Sequence, residues 1–421
     1  MELTKAQHKA YVAMKQGLNV FVTGSGGVGK SHLINHFKRN CLRRIALTST
    51  TGVSALLING VTIHSWAGIN LGKEDVEILH ARLTKDAKKR WKTVETLIID
   101  EISMMSPDLL PKLENLARMM RNPDKVFGGI QIIFVGDFAQ LPPINVDKFC
   151  FELPLWDEIL DVSIHLTEII RQTDISFQEI LTEARYGLIS KHTKKELKKR
   201  LIQGELPKIN GIEPTMLYSR NMDVYTKNLL EIKKLKKKGK KSQKYYAYTG
   251  VYSDKPITNK YENLLKDKLS NSCPAIDCLE LTVDSQVMIL KNLDLEKGIA
   301  NGTRGIVVDL GPAFVTVQLI NGNNVRIEKN KWEMNVEEGL DVHKTQMPLT
   351  PAWSLSIHKT QGSTLDYVAM DLGDSIFEYG QAYVALSRVK TLEGLFLTKL
   401  KTSKIKCHPK VFEFYKKLET E

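Results

Sequence analysis

The tightest constraint on this 421-residue chain sits near its start. GSGGVGKS at 24–31 follows the apolar run NVFVT at 19–23. The octapeptide fits G-x-x-x-x-G-K-[ST], and a strand–loop–helix context is what gives that pattern physical meaning. Glycines let backbone N–H groups approach phosphate oxygens, and a helix opening near Lys30 presents its positive end to them. Gly24, Ser25, Gly26, Gly27, Val28, Gly29, Lys30 and Ser31 are therefore the expected nucleotide cradle. Lys30 would bridge the β- and γ-phosphates, and Ser31 would ligate Mg²⁺.

Further apolar runs at 44–47, 97–99 and 130–135 alternate with helical stretches. Buried strands separated by helices predict an α/β fold with a parallel sheet covered on both faces. The pattern resumes at 214–218, 367–372 and 394–400, with a helix expected around 380–389. Between them, residues 245–346 carry short alternating stretches joined by Gly/Asn turns such as IANGTRG, the signature of an antiparallel, all-β insertion. The expected domains are 1–163 with a loop insertion near 64–80, then 164–244 with 347–421, and 245–346 inserted between those two segments.

TLIIDEIS at 96–103 is an apolar strand ending in two carboxylates. Asp100 would hold Mg²⁺ through water, and Glu101 would polarise the attacking water. Paired with the upstream loop, this motif favours hydrolysis over mere binding. No N-K-x-D guanine reader is present, so ATP is the expected nucleotide. In VGDFAQLPPI at 135–144, Asp137 and Gln140 end another strand beside the site, where Gln140 can sense the γ-phosphate. Arg171 in LTEIIRQ and Arg388 in YVALSRVK are candidate arginine fingers from a second α/β half.

Charge points to the partner. The chain carries 60 Lys+Arg against 48 Asp+Glu, a net +12, and eight lysines fall within 231–244. A basic chain implies an anionic partner, most often nucleic acid, although the lysine tract reads equally well as a solvated loop or helix end. The five scattered cysteines suggest a reducing compartment, and Cys273 with Cys278 lacks the further ligands of a zinc site. No apolar run approaches the ~20 residues of a membrane span. No cleaved targeting peptide is expected, and the protein reads as soluble and intracellular.

The motifs LTKAQHKAY, GSGGVGKS, TSTTGVSALLINGVTIHSWAGI, IIDEISMM, GDFAQLPPI, LTEIIRQ, SLSIHKTQGSTLD and YVALSRVK occur in that order from residue 3 to about 390. Together they resemble the superfamily 1B DNA helicases. The PIF (petite integration frequency) family is most similar, and RecD and phage Dda helicases are more distant. EISMMSPDLLPKLENLARMMR at 101–121 also resembles the segment that distinguishes that family. The resemblance implies two RecA-like P-loop domains clamping ATP, with a small Src-homology-type β-barrel inserted in the second. It implies 5′→3′ movement on single-stranded DNA, with Gln7 reading adenine and Gly362 and Gln361 linking nucleotide to DNA.

Sequence-blind movement needs phosphate contacts and stacking surfaces. Thr50, Thr51 and Gly52 offer hydroxyls and N–H groups, Trp66 could stack on a base, and His64 could contact phosphate. His358, Lys359 and Gln361 form a donor-rich cluster. The leading reading is an ATP-dependent DNA helicase acting as a monomer on single strands and single-/double-strand junctions. The rivals are an RNA-directed helicase and a DNA-binding module with a relict ATP site.

Overall fold

The computed structural model describes residues 3–420 except 71, 144–147, 210, 295, 296, 298, 338, 358, 359, 361 and 362. The chain forms two compact units, Met1–Thr173 with Lys406–Glu421, and Asp174–Ile405.

The first unit is built on six parallel strands: β1 (Val20–Gly24), β2 (Ile45–Ser49), β3 (Val61–Thr62), β4 (Thr96–Asp100), β5 (Gln131–Gly136) and β6 (Val162–Leu166). Their order is β3-β2-β4-β5-β1-β6. Every residue of β1, β4 and β5 is buried, so these strands read as continuous apolar runs rather than alternating ones. Side chains still alternate between faces. Val20 and Val22 pack with Ala10 and Met14 of α1 (Lys5–Gln16) and with Leu33, Ile34 and Phe37 of α2 (Lys30–Arg39). Phe21 points the other way, into an aromatic cluster with Phe138, Trp156 and Phe414. Because all six strands are parallel, the loops after β1, β2, β4 and β5 leave one edge of the sheet, the carboxyl edge where such sheets bind ligands.

Asp174–Ile405 contains a second parallel sheet, in the order Ser354–Ser356, Thr215–Tyr218, Val368–Leu372 and Leu395–Leu400. Antiparallel strands from Ser242 to Pro351 form two-, three- and five-stranded sheets. The two- and five-stranded sheets share one core, which includes Tyr245, Leu281, Val287, Val317 and Met347.

Several expectations need correction. Residues 164–166, expected to open the second domain, lie in β6 and pair with β1 in the first sheet. The last helix, Pro409–Thr420, also belongs to the first unit, because Phe414 and Tyr415 bury in its aromatic face. The all-β insertion contains a 14-residue helix, Asn259–Ser272, capped by Thr258 and burying Leu265 and Leu269 at i, i+4 spacing. The loop insertion near 64–80 is helical, comprising α4 (Ile63–Ala67) and Val76–Arg82.

The lysine tract is ordered. It ends the helix Asn221–Lys237 and enters the strand Ser242–Tyr246. Lys234 pairs with Glu231 and Lys240 with Asp284, at 2.9 and 2.7 Å, and Lys236 pairs with Glu280. Among the described residues, no helix is long and apolar enough to cross a membrane.

Candidate active site

The P-loop turns on glycines that nothing else could replace. Gly24 has φ +147°, and a β-carbon there would overlap the Leu166 carbonyl oxygen of β6. Gly27 has φ +96°, and its β-carbon would come within 2.7 Å of Arg171 Cβ. Both conformations lie where L side chains are disfavoured. Gly29, also left-handed, caps α2, so Lys30 and Ser31 begin the helix beneath the loop. Lys30 Nζ donates to the Gly24 and Ser25 carbonyls, at 2.6 and 3.0 Å, which keeps the ammonium over the loop.

Gln7 is buried. Its Oε1 accepts from Thr4 N–H as half of a capping box, and its Nε2 donates to the Val28 carbonyl at 3.0 Å. The amide expected to read adenine thus bolts the start of α1 to the P-loop.

Asp100 and Glu101 end β4 differently. Asp100 is the last strand residue, 6% exposed. Burial and then the neighbouring Glu101 carboxylate push its pKa up to about 7, against the Glu101 backbone N–H and Lys30, which pull it down. Glu101 lies beyond the strand at φ +54°, ψ +45°. A non-glycine residue held there costs on the order of 1–3 kcal/mol, and such strain concentrates at functional positions. The left-handed turn, and not strand alternation, separates the two carboxylates.

The turn after β5 is tied to itself. Asp137 Oδ1 accepts from Ala139 N–H, and the Asp137 carbonyl accepts from Gln140 N–H, at 3.1 and 3.0 Å. Thr50, in the turn after β2, donates through Oγ1 to the Glu101 carbonyl at 2.8 Å, and its N–H reaches the Asp100 carbonyl. Thr51 caps α3 (Gly52–Leu57), accepting from Ser54 N–H. Lys30, Asp100, Gln140, Thr50 and Thr51 therefore share the carboxyl edge of one sheet.

Other expected residues fall elsewhere. Arg171 belongs to the P-loop's own unit and donates its backbone N–H to the Gly27 carbonyl at 3.2 Å, so it is not a finger from the second half. Arg388 lies in the second unit, buried, with Nε on the Val384 carbonyl and Nη2 on Ser387 Oγ. Trp66 is a core residue. It sits on α4, 7% exposed, with its ring centroid 4.6 Å from that of Trp91, and it has no free face for a base. His64 shares that helix and is half-buried. His358, Lys359, Gln361 and Gly362 lie outside the described residues. Among the described residues no His/Cys/Asp/Glu cluster could hold a metal on protein ligands alone, and none of the five cysteines forms a disulfide. Sequence reasoning missed Tyr415, whose hydroxyl reaches Thr23, Phe138 and Asp137. No motif marks it.

Comparison with known proteins agrees with this geometry. The family model of PIF1-like helicases matches residues 2–193, and that of the DNA helicase Pif1 2B domain matches 264–310. The chain is 35% identical to the ATP-dependent DNA helicase PIF1 of Danio rerio, over all of this chain and 64% of that protein. It is 34% identical to the crystal structure of Pif1 helicase from Candida albicans, with TM-score 0.77, covering 99% of this chain and 100% of that one. Bacteroides Pif1 in complex with ADP-AlF3 and ssDNA aligns at 28% identity and TM-score 0.66, over 100% and 98% of the two chains. The chain thus spans just under two thirds of the vertebrate PIF1 helicases. It spans 94% of an uncharacterized Invertebrate iridescent virus 6 protein that is 34% identical. The chain belongs to the PIF1-like helicase family, whose named members are ATP-dependent DNA helicases.

Proposed function

We propose that this chain couples ATP hydrolysis to 5′→3′ movement along single-stranded DNA and unwinds duplexes at single-/double-strand junctions. The observation that carries the reading is the pair of hydrogen bonds from Thr50 to the Asp100 and Glu101 backbone. The turn best suited to strand phosphates is fastened to the carboxylate best suited to orient water. Strand position can thereby reach hydrolysis without a separate relay.

In this reading Lys30 and the loop N–H groups hold the phosphates, Glu101 takes the proton of the attacking water, and Gln140 senses the γ-phosphate. Ser31 and Asp100 would hold Mg²⁺, which when bound screens phosphate charge. The donor set fits, because a nearby cation relieves the cost of ionising buried Asp100 beside Glu101. Arg171 acts on the phosphates from the P-loop's own unit, and Arg388 is the candidate finger of the second. Thr50, Thr51, Gly52 and His64 supply phosphate contacts, joined by His358, Lys359 and Gln361, while Gly362 acts on the nucleotide side. Gln7 acts on adenine through the P-loop it braces. A single chain suffices for movement, and five cysteines outside any disulfide suit a reducing, intracellular setting.

ATP turnover with and without single-stranded DNA, followed by unwinding of duplexes bearing either a 5′ or a 3′ tail, tests this directly. DNA-stimulated turnover with unwinding from the 5′ tail is expected. Preference for a 3′ tail, or for matched RNA substrates, would overturn it.

A further inference from the structure

We propose that the Tyr415 hydroxyl is a positioning group for ATP turnover, fixing the Gln140 turn against the strand that feeds the P-loop. The inference rests on the reading of Gln140 as γ-phosphate sensor. Tyr415 is fully buried on the last helix, Pro409–Thr420. Its oxygen lies 2.7 Å from Thr23 Oγ1, 2.9 Å from Phe138 N and 3.1 Å from Asp137 Oδ1.

The hydrogens can be assigned by elimination. Phe138 N–H can only donate, and an Asp137 carboxylate can only accept, so the phenol takes one bond and gives its proton to the other. The Thr23 hydroxyl then donates to the remaining lone pair. The phenol's one donor and two acceptor positions are all used.

Where those bonds end is what matters. Thr23 immediately precedes Gly24, and Thr23↔Gly136 is the last register pair between β1 and β5. Beyond it the ladder stops, while Phe138 stays buried with an N–H that a sheet can no longer satisfy. The hydroxyl extends the cross-link two residues past the sheet, to the turn whose Asp137 carbonyl holds Gln140 N–H. A shift of the P-loop strand or of the sensor turn must therefore deform bonds to one oxygen.

The helix does not need that oxygen to stay in place. Phe414 stacks on Phe151 at 4.3 Å, Lys410 pairs with Glu152, and Glu419 lies 3.7 Å from His165. Tyr415→Phe should thus delete the strut and spare the packing.

The test uses the full chain with saturating single-stranded DNA, well below the melting temperature. It compares Tyr415→Phe, Gln140→Ala, the double variant, and Phe414→Leu as a packing control. Losing a buried hydrogen-bond hub should lower kcat for ATP about tenfold in Tyr415→Phe, with KM for ATP within about threefold. Added to Gln140→Ala, it should cost no more than about twofold further, because the two act as a unit. Phe414→Leu should lower Tm but leave kcat unchanged. A normal kcat in Tyr415→Phe with an impaired Gln140→Ala would sink the proposal alone. Multiplying losses in the double variant, or a Phe414→Leu kcat as low as that of Tyr415→Phe, would do the same. A normal kcat in Gln140→Ala would sink the sensor reading and the proposal with it.

Discussion

Trp66 separates two physical roles that a sequence cannot tell apart, and truncating it decides between them. The ring is 7% exposed and tilted 58° against Trp91, which is itself fully buried and donates its indole N–H to the Ala67 carbonyl at 3.1 Å. Arg90 Nε adds a bond to the Trp66 carbonyl at 3.0 Å, so α4 is pinned from two sides to the helix Lys85–Thr93. Removing a buried large aromatic costs about 3–5 kcal/mol, of which the ring pair contributes roughly 0.5–1.5. In a domain of 150–250 residues each kcal/mol moves Tm by about 2–4 °C, so Trp66→Ala should melt roughly 10 °C lower. Trp66→Phe keeps a ring against Trp91 and should recover more than half of that loss. Thermal melting by circular dichroism, with single-stranded DNA affinity measured at low temperature where both variants stay folded, reads the two roles separately. A stacking residue would instead cost about 1–3 kcal/mol of DNA affinity per base with little change in Tm. That outcome, unchanged melting with affinity weakened tenfold or more, would refute the core assignment.

Lys30→Ala should abolish ATP hydrolysis, whereas Glu101→Gln should retain ATP binding and lose about 10²–10⁴-fold in turnover; near-normal DNA-stimulated hydrolysis in Glu101→Gln would remove its assigned role. The Asp100 pKa, ordinarily 3.8, is raised to about 7, so the stabilising contribution of its carboxyl is fully present below pH 3.8 and lost as pH rises through 7. Asp100→Asn should consequently gain stability on the parent in nucleotide-free melts between pH 5 and 8, and a pH-independent gap would contradict the burial account. Neutralising Lys233, Lys237, Lys238 and Lys244, all exposed, should flatten the salt dependence of DNA binding by roughly 0.7 in slope per lost single-strand contact. Parallel titration lines would leave the tract no DNA role.

The strands were legible because burial on both faces forces continuous apolar runs, and the P-loop because its geometry admits only glycine at Gly24 and Gly27. Long-range ties were not. Residues 164–166 look the same in sequence whether they join the first sheet or open a second, and only the register Val22↔Ile164 decides it. Trp66 resembles an exposed stacking residue because its partner Trp91 is 25 positions away and carries no motif. The lysine tract ends a helix, one of the readings its charge allows, but its partners were not legible: Lys236 and Lys240 find Glu280 and Asp284, more than 40 positions away. Tyr415 was invisible for the same reason: its partners, Thr23 and Asp137, lie 392 and 278 positions away along the chain.

Glu101 shows what these ties accomplish together. Its left-handed backbone is unfavourable alone, so the surrounding structure must impose it. On one side Thr50, from the turn after β2, donates to its carbonyl. On the other, Gly136 ends β5 so closely that a β-carbon there would lie 3.0 Å from Ile102 N and 3.6 Å from the Glu101 carbonyl carbon. The clamp on Glu101 is thus made of the turn suited to strand phosphates and the strand that leads to Gln140. Moving either turn changes the strain stored at Glu101, and relaxing that strain would swing its carboxylate. If the turn of Thr50 meets strand phosphates and Glu101 holds the attacking water, as proposed above, coupling between DNA and hydrolysis needs no chain of intermediates, because both turns already bear on one strained residue.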